Sequence, residues 1–415
     1  MPPQPFSCAS DANVISVSGG LDPNHFRKVT AAIFDILERQ EYSGLTLNFA
    51  HLDQVPVRAM LPIVAQIVKY KKLGRKISLI EPDKDNVKRL FRNSNWSHLF
   101  DNNYPAACQI NRKHIPAAIF TSPEDQHRIV NELMEKTISG VENIGPEHFS
   151  ALEWSINEIM DNVLVHADSP CGGIVQLTAK SRVNKIEFIV ADTGIGIAKS
   201  LKNSSTAYTS DTDALSRSIL QGVTRDKSVG QGNGLYGSYQ IAALSGGHFG
   251  IYANHATLHM SNGNKRIKRE EIPYSGSVVV AELSYEEPGR LSEALHFGER
   301  KFSTYNYVDG MVDRSDDGFV HIDIKNEVSS VGSRIAGEPL RIKIANLLTL
   351  HSEVKVVLDF SGIRIISSSF ADEVIAKNFV RFGSSRFMGR VIFKNIEDIT
   401  RSIIDKSVNQ RMSSD

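Results

Sequence analysis

Glu158, Asn162 and His166 are spaced i, i+4, i+8, so a helix puts them on one face, a turn apart, opposite an apolar face of Ile156, Ile159, Met160 and Val163. Glu158 can polarise a water or hydroxyl nucleophile. Asn162 can offer a neutral oxygen to Mg²⁺, which prefers hard ligands and keeps some of its waters. A second stretch, Ile186 to Ile197, reads as a strand ending in Asp192, followed by Gly194 and Gly196, which permit a tight turn and close backbone approach to a ligand. A carboxylate at such an edge can accept from an exocyclic amine such as that of adenine. A third stretch, Gly230-Gln231-Gly232-Asn233-Gly234-Leu235-Tyr236-Gly237, opens an apolar helix, and backbone N–H groups bared by glycine at a helix start make an anion site. Gly232, Gly234 and Gly237 fit the dinucleotide fingerprint by spacing. The strand before it and the acidic residue after it are lacking, and no Lys-Ser/Thr follows to make a Walker A loop.

The elements that must hold these residues fall into three blocks. Residues 12–102 alternate short apolar strands (Val14 to Val17, Leu45 to Phe49, Ile77 to Ile80) with amphipathic helices, the second of which ends at Gly74. Residues 316–410 repeat that order, with strands Val320 to Ile324, Val354 to Phe360 and Val391 to Phe393 and a helix from Phe370 to Phe382. The chemistry lies in the middle block. It begins at Ser122-Pro123-Glu124-Asp125, a capping Ser with Pro at the first helical position and acids in the first turn. Asn262-Gly263 predicts a hairpin turn, and the basic run beside it a solvated strand. The polar segment 287–317 reads as a linker.

The chain of 415 residues has 47 basic and 47 acidic side chains, with 41% hydrophobic and 23% charged residues, so bulk disorder and a global attraction to nucleic acid are both disfavoured. Cys8, Cys108 and Cys171 are isolated, which argues against a disulfide framework or a cysteine-rich zinc site and fits a reducing, cytoplasmic setting. No apolar run is long enough to span a bilayer, and Met1 to Pro5 does not read as a signal peptide.

In order and spacing, the three stretches resemble the N, G1 and G2 boxes of the GHKL ATP-binding fold of gyrase, heat-shock chaperones, histidine kinases and MutL. The resemblance implies a central α/β sandwich, the Bergerat fold, over residues 115–286. It makes Glu158 the general base, Asn162 the Mg²⁺ ligand, and Asp192 the adenine contact beside Gly194 and Gly196. Gly230, Gly232, Gly234, Leu235 and Gly237 would bind the phosphate end, with ATP and Mg²⁺ as cofactors, and residues 198–229 would form an ATP lid. Arg217, Arg225 and Lys227 are candidates to reach the γ-phosphate, with solvated surface as their alternative role. Val278 to Leu283 looks like the closing strand. The string from Glu158 to His166-Ala167 is closest to the anti-sigma-factor serine kinases.

Asp359 to Glu373 resembles the STAS-like fold of anti-sigma-factor antagonists, in which a serine after the strand is phosphorylated; lined up, that serine is Ser368. Ser367 and Phe370 stand where that motif has Asp and Gly, and a capping role for the serine cluster is the alternative. Residues 318–410 would be this STAS-like α/β domain and residues 1–105 a degenerate copy, with Pro56 and Val57 near the equivalent turn. The chain is then an α/β protein, a GHKL core between two STAS-like domains. Three readings follow: a regulatory Mg-ATPase that controls protein interactions through lid closure, a serine kinase acting on a STAS domain, and an ATP-gated interaction protein without turnover. The expected partners are ATP and a protein docking through the STAS-like domains, a homodimer included, with neither nucleic acid nor membrane.

Overall fold

The computed structural model describes residues 4–107, 115–202, 208–223, 232–286, 291, 296–297, 300–301 and 306–413. The chain forms two compact units, one of Met1–Leu133 with Trp154–Phe302, the other of Met134–Glu153 with Ser303–Asp415.

The first unit begins with a hairpin of β1 (Ser7–Asp11) and β2 (Val14–Gly20), which turns at Ala12 with a positive φ of 48°. Strand β3 (Gly44–Asn48) and strand β5 (Lys76–Ile80) continue the sheet in the order β1-β2-β3-β5, with β2, β3 and β5 parallel; the short β4 (Leu52–Gln54) pairs with β2. Helix α1 (Phe26–Phe34) runs into a π-helical turn, Asp35–Arg39. Helix α2 (Val57–Lys72) is apolar nearly all round, which signals burial between two layers. After β5 come two helices, α3 (Asp85–Asn93) and α4 (Trp96–Phe100), separated where Asn95 adopts a left-handed φ of 65°.

A second sheet follows, antiparallel throughout, in the order β6-β7-β8-β10-β9: β6 (Ala118–Phe120), β7 (Gly173–Lys180), β8 (Lys185–Asp192), β9 (His248–Ser261) and β10 (Asn264–Ser284). Asn262 and Gly263, both at positive φ, make the β9–β10 turn. Helices α5 (Pro123–Gly140) and α6 (Pro146–His166) precede β7, and Ser122 Oγ accepts the Asp125 N–H at 3.2 Å to cap α5.

The centre of this sheet, β7, β8 and the second half of β10, is buried on both faces, so Ile186 to Ala191 of β8 is apolar on both parities apart from Glu187. Ile189 and Ala191 of β8, Val278 and Val280 of β10, Ile174 and Tyr252 share one core with Phe26, Met60, Ile63, Ile67 and Trp96 of the N-terminal module. The opposite parity, Val190, Asp192 and Val279, faces a cavity. Polar links join module and sheet: Trp96 Nε1 donates to Gln176 Oε1 at 2.9 Å, and Lys72 Nζ to the Pro170 carbonyl at 2.6 Å.

In the second unit, strands Phe319–Asp323, Lys355–Asp359 and Val391–Lys394 are parallel and adjacent in chain order. Helix Arg334–Leu350 is capped by Ser333, and Ser368–Phe382 is helical throughout with a π-helical stretch at Asp372–Ala376. Asn346 Nδ2 donates to the Ile138 and Val141 carbonyls, both at 2.8 Å, and Lys343 Nζ lies 2.6 Å from both Glu135 and Glu327 carboxylates, so residues 134–153 are built into this body. Three helices of this unit stand where the sequence reading had none, the shortest being Ile324–Glu327. Tyr307–Asp313, inside the expected linker, starts with a capping box of Asn306 and Asp309, and Ser384–Arg390 follows Gly383.

Candidate nucleotide site

In the C-terminal half of α6, Ile156, Ile159, Met160 and Val163 are all buried. Ile159 and Val163 line a cavity of about 290 Å³ together with Glu158, Asn162 and His166. Asp192, Gly196, Gly232, Gly234 and Leu235 line the same cavity, so seven of the expected site residues meet there, with His166 beside them. Gly194 and Gly237 are not among its lining residues. Gly194 donates its N–H to Asp192 Oδ1 at 2.8 Å, and Gly237, inside helix α9 (Gly234–Leu244), donates to the Asn233 carbonyl at 2.7 Å. Gly230, Arg225 and Lys227 lie outside the described residues.

Asp192 ends β8 with 2% exposure. Its Oδ1 accepts from Gly194 and its Oδ2 from the Ser277 N–H at 3.1 Å. Burial pushes this carboxyl up to about 7, while the Gly194 and Ser277 donors pull it back. Burial likewise raises Glu158 to about 7, with Asp161 adding to it, which poises the group to take a proton near neutral pH. Gly234 opens α9 directly beside Glu158 and Asn162: a Cβ there would lie 2.6 Å from Glu158 Oε2 and 3.2 Å from Asn162 Nδ2. The helix start and the acid–amide pair therefore face each other at contact distance. Among the described residues, buried Asn162 Nδ2 has no hydrogen-bond partner, which leaves a donor on the cavity wall. Among the described residues no group of three or more His, Cys, Asp or Glu converges on a metal position. This donor set suits Mg²⁺, which binds through one or two protein oxygens plus phosphates and water.

Part of the expected lid is described. Helix α7 (Ile197–Lys202) and helix α8 (Asp211–Ser218) share a small core of Ala198, Leu201 and Ala214, joined by Lys202 Nζ to Asp211 Oδ1 at 2.6 Å. Arg217 donates to Asp213 at 3.0 Å, one turn back on its own helix. Residues 203–207 and 224–231 lie outside the described residues. Ser277 and Asn254 escaped the sequence reading. Ser277 Oγ accepts the Ile197 N–H at 2.9 Å, and Asn254 holds the Ile195 carbonyl and the Lys199 N–H, at 3.0 and 3.2 Å, so both brace the turn after Asp192.

This arrangement of helix, strand-end carboxylate and glycine-led helix is the one expected of a GHKL-type domain. The family model of histidine kinase-, DNA gyrase B- and HSP90-like ATPases matches residues 149–287, and that of a STAS-like domain of unknown function matches residues 336–401. The chain thus carries a GHKL-type ATPase or kinase domain followed by a STAS-like domain. No curated protein matches it. Among the described residues no helix is long and apolar enough to cross a membrane. Ser368 is exposed at the start of a helix in the STAS-like domain, where Ser367 is the cap, its Oγ accepting the Phe370 N–H at 3.0 Å.

Proposed function

We propose that the protein is a regulatory Mg-ATPase whose nucleotide state governs the protein contacts of its STAS-like domain. The observation that carries this reading is the convergence of Glu158, Asn162, Asp192 and Gly234 on one cavity. Asp192 reads the adenine amine; Gly232 and Gly234, at the start of α9, bind phosphate. Asn162 would hold Mg²⁺, which when bound screens phosphate charge and orients the γ-phosphoryl group. Glu158 accepts a proton from the attacking water. A base is of no use to a pure binder, so turnover is favoured over a non-hydrolysing, ATP-gated interaction protein. Residues 198–229 close over the nucleotide as a lid, Gly230 and Gly237 shape the phosphate loop, and Gly194 the adenine turn. The N-terminal module, with its three parallel strands, is a degenerate copy of the STAS-like domain.

The second reading is a serine kinase acting on a STAS domain. One observation favours it. Asp372, one turn beyond Ser368, is already paired with Arg411 at 2.6 Å and Arg334 at 2.5 Å, which hold its carboxyl below the usual range. A phosphate on Ser368 would therefore enter a region with two arginines instead of an unbalanced acidic one. Incubation with Mg²⁺ and γ-labelled ATP separates the readings. Steady release of free phosphate with unlabelled protein supports the ATPase. Label on Ser368, or on an added STAS domain, supports the kinase. Neither product, with ATP bound, leaves the interaction protein.

A further inference from the structure

The back of the adenine-side turn is held by the N-terminal module at two places. The first is Tyr274, fully buried at a register shift of β10, its ring edge-on to Phe26 at 5.4 Å. Its hydroxyl lies 3.0 Å from the main-chain carbonyl of Asp192 and 3.4 Å from that of Pro62 in α2. From the same helix Gln66 Nε2 donates to the Ser275 carbonyl at 3.0 Å. The chain then crosses Asp192 so closely that a Cβ on Gly276, at a φ of +114°, would lie 2.1 Å from the Asp192 carbonyl oxygen. Residues 274–277 thus grip Asp192 by main chain and carboxylate together, and α2 presses on the grip from outside.

The second place is Arg27 of α1, 4% exposed. Its guanidinium donates to the carbonyls of Asn254, Ala256 and Ile272 at 2.7, 2.9 and 3.0 Å. Asn254 in turn holds Ile195 and Lys199. A buried guanidinium is costly to desolvate unless its donors are paired, as those of both terminal nitrogens are here. Beside the Trp96–Gln176 and Lys72–Pro170 links, the polar contacts of Gln66, Tyr274 and Arg27 fall on the segments that hold the turn after Asp192.

We propose that the N-terminal module is a positioning clamp for the adenine end of the nucleotide site, acting through Tyr274 and Arg27. The inference rests on the assignment of Asp192 as the base contact. Burial raises the Tyr274 phenol further above neutrality, so the clamp stays a hydrogen-bond donor across the working pH range. Binding energies are reciprocal, so a nucleotide that needs the clamped turn also strengthens docking of the module.

The test uses the full chain with Tyr274→Phe, which removes one oxygen, and Gln66→Met, which keeps the volume. Calorimetric titration with ATP and GTP, and turnover, are compared with wild type. Loss of one neutral hydrogen bond at the base contact should weaken ATP binding about 5- to 10-fold, raise KM in parallel, leave kcat within about twofold and narrow the preference for ATP over GTP. In nucleotide-free Tyr274→Phe the Gly194 and Ile195 amides should exchange faster. A merely structural tyrosine would lower the melting temperature and leave affinity, base preference and these amides unchanged; that result overturns the clamp alone. Wild-type chain that binds no ATP would overturn the clamp and the proposed function together. If Tyr274→Phe fails to fold, Gln66→Met decides by the same readouts.

Discussion

Gly234→Ala separates the site from the fold. Gly234 is the first residue of α9, where alanine is tolerated or mildly favoured, by up to about 1 kcal/mol in a helix interior. The new methyl would stand 2.6 Å from Glu158 Oε2 and 3.2 Å from Asn162 Nδ2. To reach ordinary contact at 3.4 Å the carboxylate must retreat by about 0.8 Å. It is the end of a rotatable side chain, so the fold can yield. The reacting geometry cannot, because a misplacement of about 1 Å costs on the order of 10²-fold in rate. The expected variant melts within a few degrees of wild type, binds ATP a few-fold more weakly through the crowded Asn162, and loses about 100-fold in kcat. Gly172→Ala is the contrast: φ is +64° and the Cβ would lie 1.9 Å from the Phe120 carbonyl oxygen, a backbone atom that cannot swing away. It should destabilise by roughly 2 kcal/mol or more with normal turnover in the folded fraction. Phosphate release and calorimetric melting are measured on both. Wild-type turnover in Gly234→Ala, or a loss that merely follows melting temperature, would refute the placement of Glu158 at the reacting centre.

Asn162→Ala should abolish Mg²⁺-dependent nucleotide binding, whereas Glu158→Ala should keep binding and stop turnover; equal loss of binding in titrations of both would sink the division of roles. Asp192→Asn should weaken ATP binding and relax the preference over GTP, measured by competition. The carboxyls of Glu158 and Asp192 are raised to about 7 in the folded protein, so the stability they lend is full below their unfolded pKa values and is lost as pH rises toward 7. Nucleotide-free protein should therefore melt lower at pH 8 than at pH 5, and Asp192→Asn should flatten that slope; a melting temperature that rises over this interval contradicts it. Asn346→Leu leaves the Ile138 and Val141 carbonyls without their donor and should cost about 2–3 kcal/mol in chemical denaturation.

The site was legible where its residues are neighbours along one element. The i, i+4 spacing of Glu158 and Asn162, the Asp192 strand end and the glycines before α9 each carry a local signal, and the cavity joins them. Ser277, Asn254 and Tyr274 lie 62 or more positions beyond Asp192 and gain meaning only when β9 and β10 fold back beside β8. Strand β1 was missed because its turn uses Ala12 and Asn13 in place of a glycine pair, and the helix at Tyr307 because its capping box sits in a polar stretch. One clue was present and unread. Ile186 to Ala191 is apolar on both parities apart from Glu187, the pattern of a strand covered on two sides.

That double cover separates the portion of the chain that is recognisable from the portion that can stand alone. The span matching the ATPase family starts at residue 149, after the whole N-terminal module. Yet Ile174, Ile189, Ala191, Val278 and Val280 share one core with Phe26, Met60, Ile63, Ile67 and Trp96 of that module. Excised at its family borders, the domain would present to water the apolar side chains that this sheet now packs against the module. Module and sheet share one core, so the borders of the family match are not the borders of the packed body.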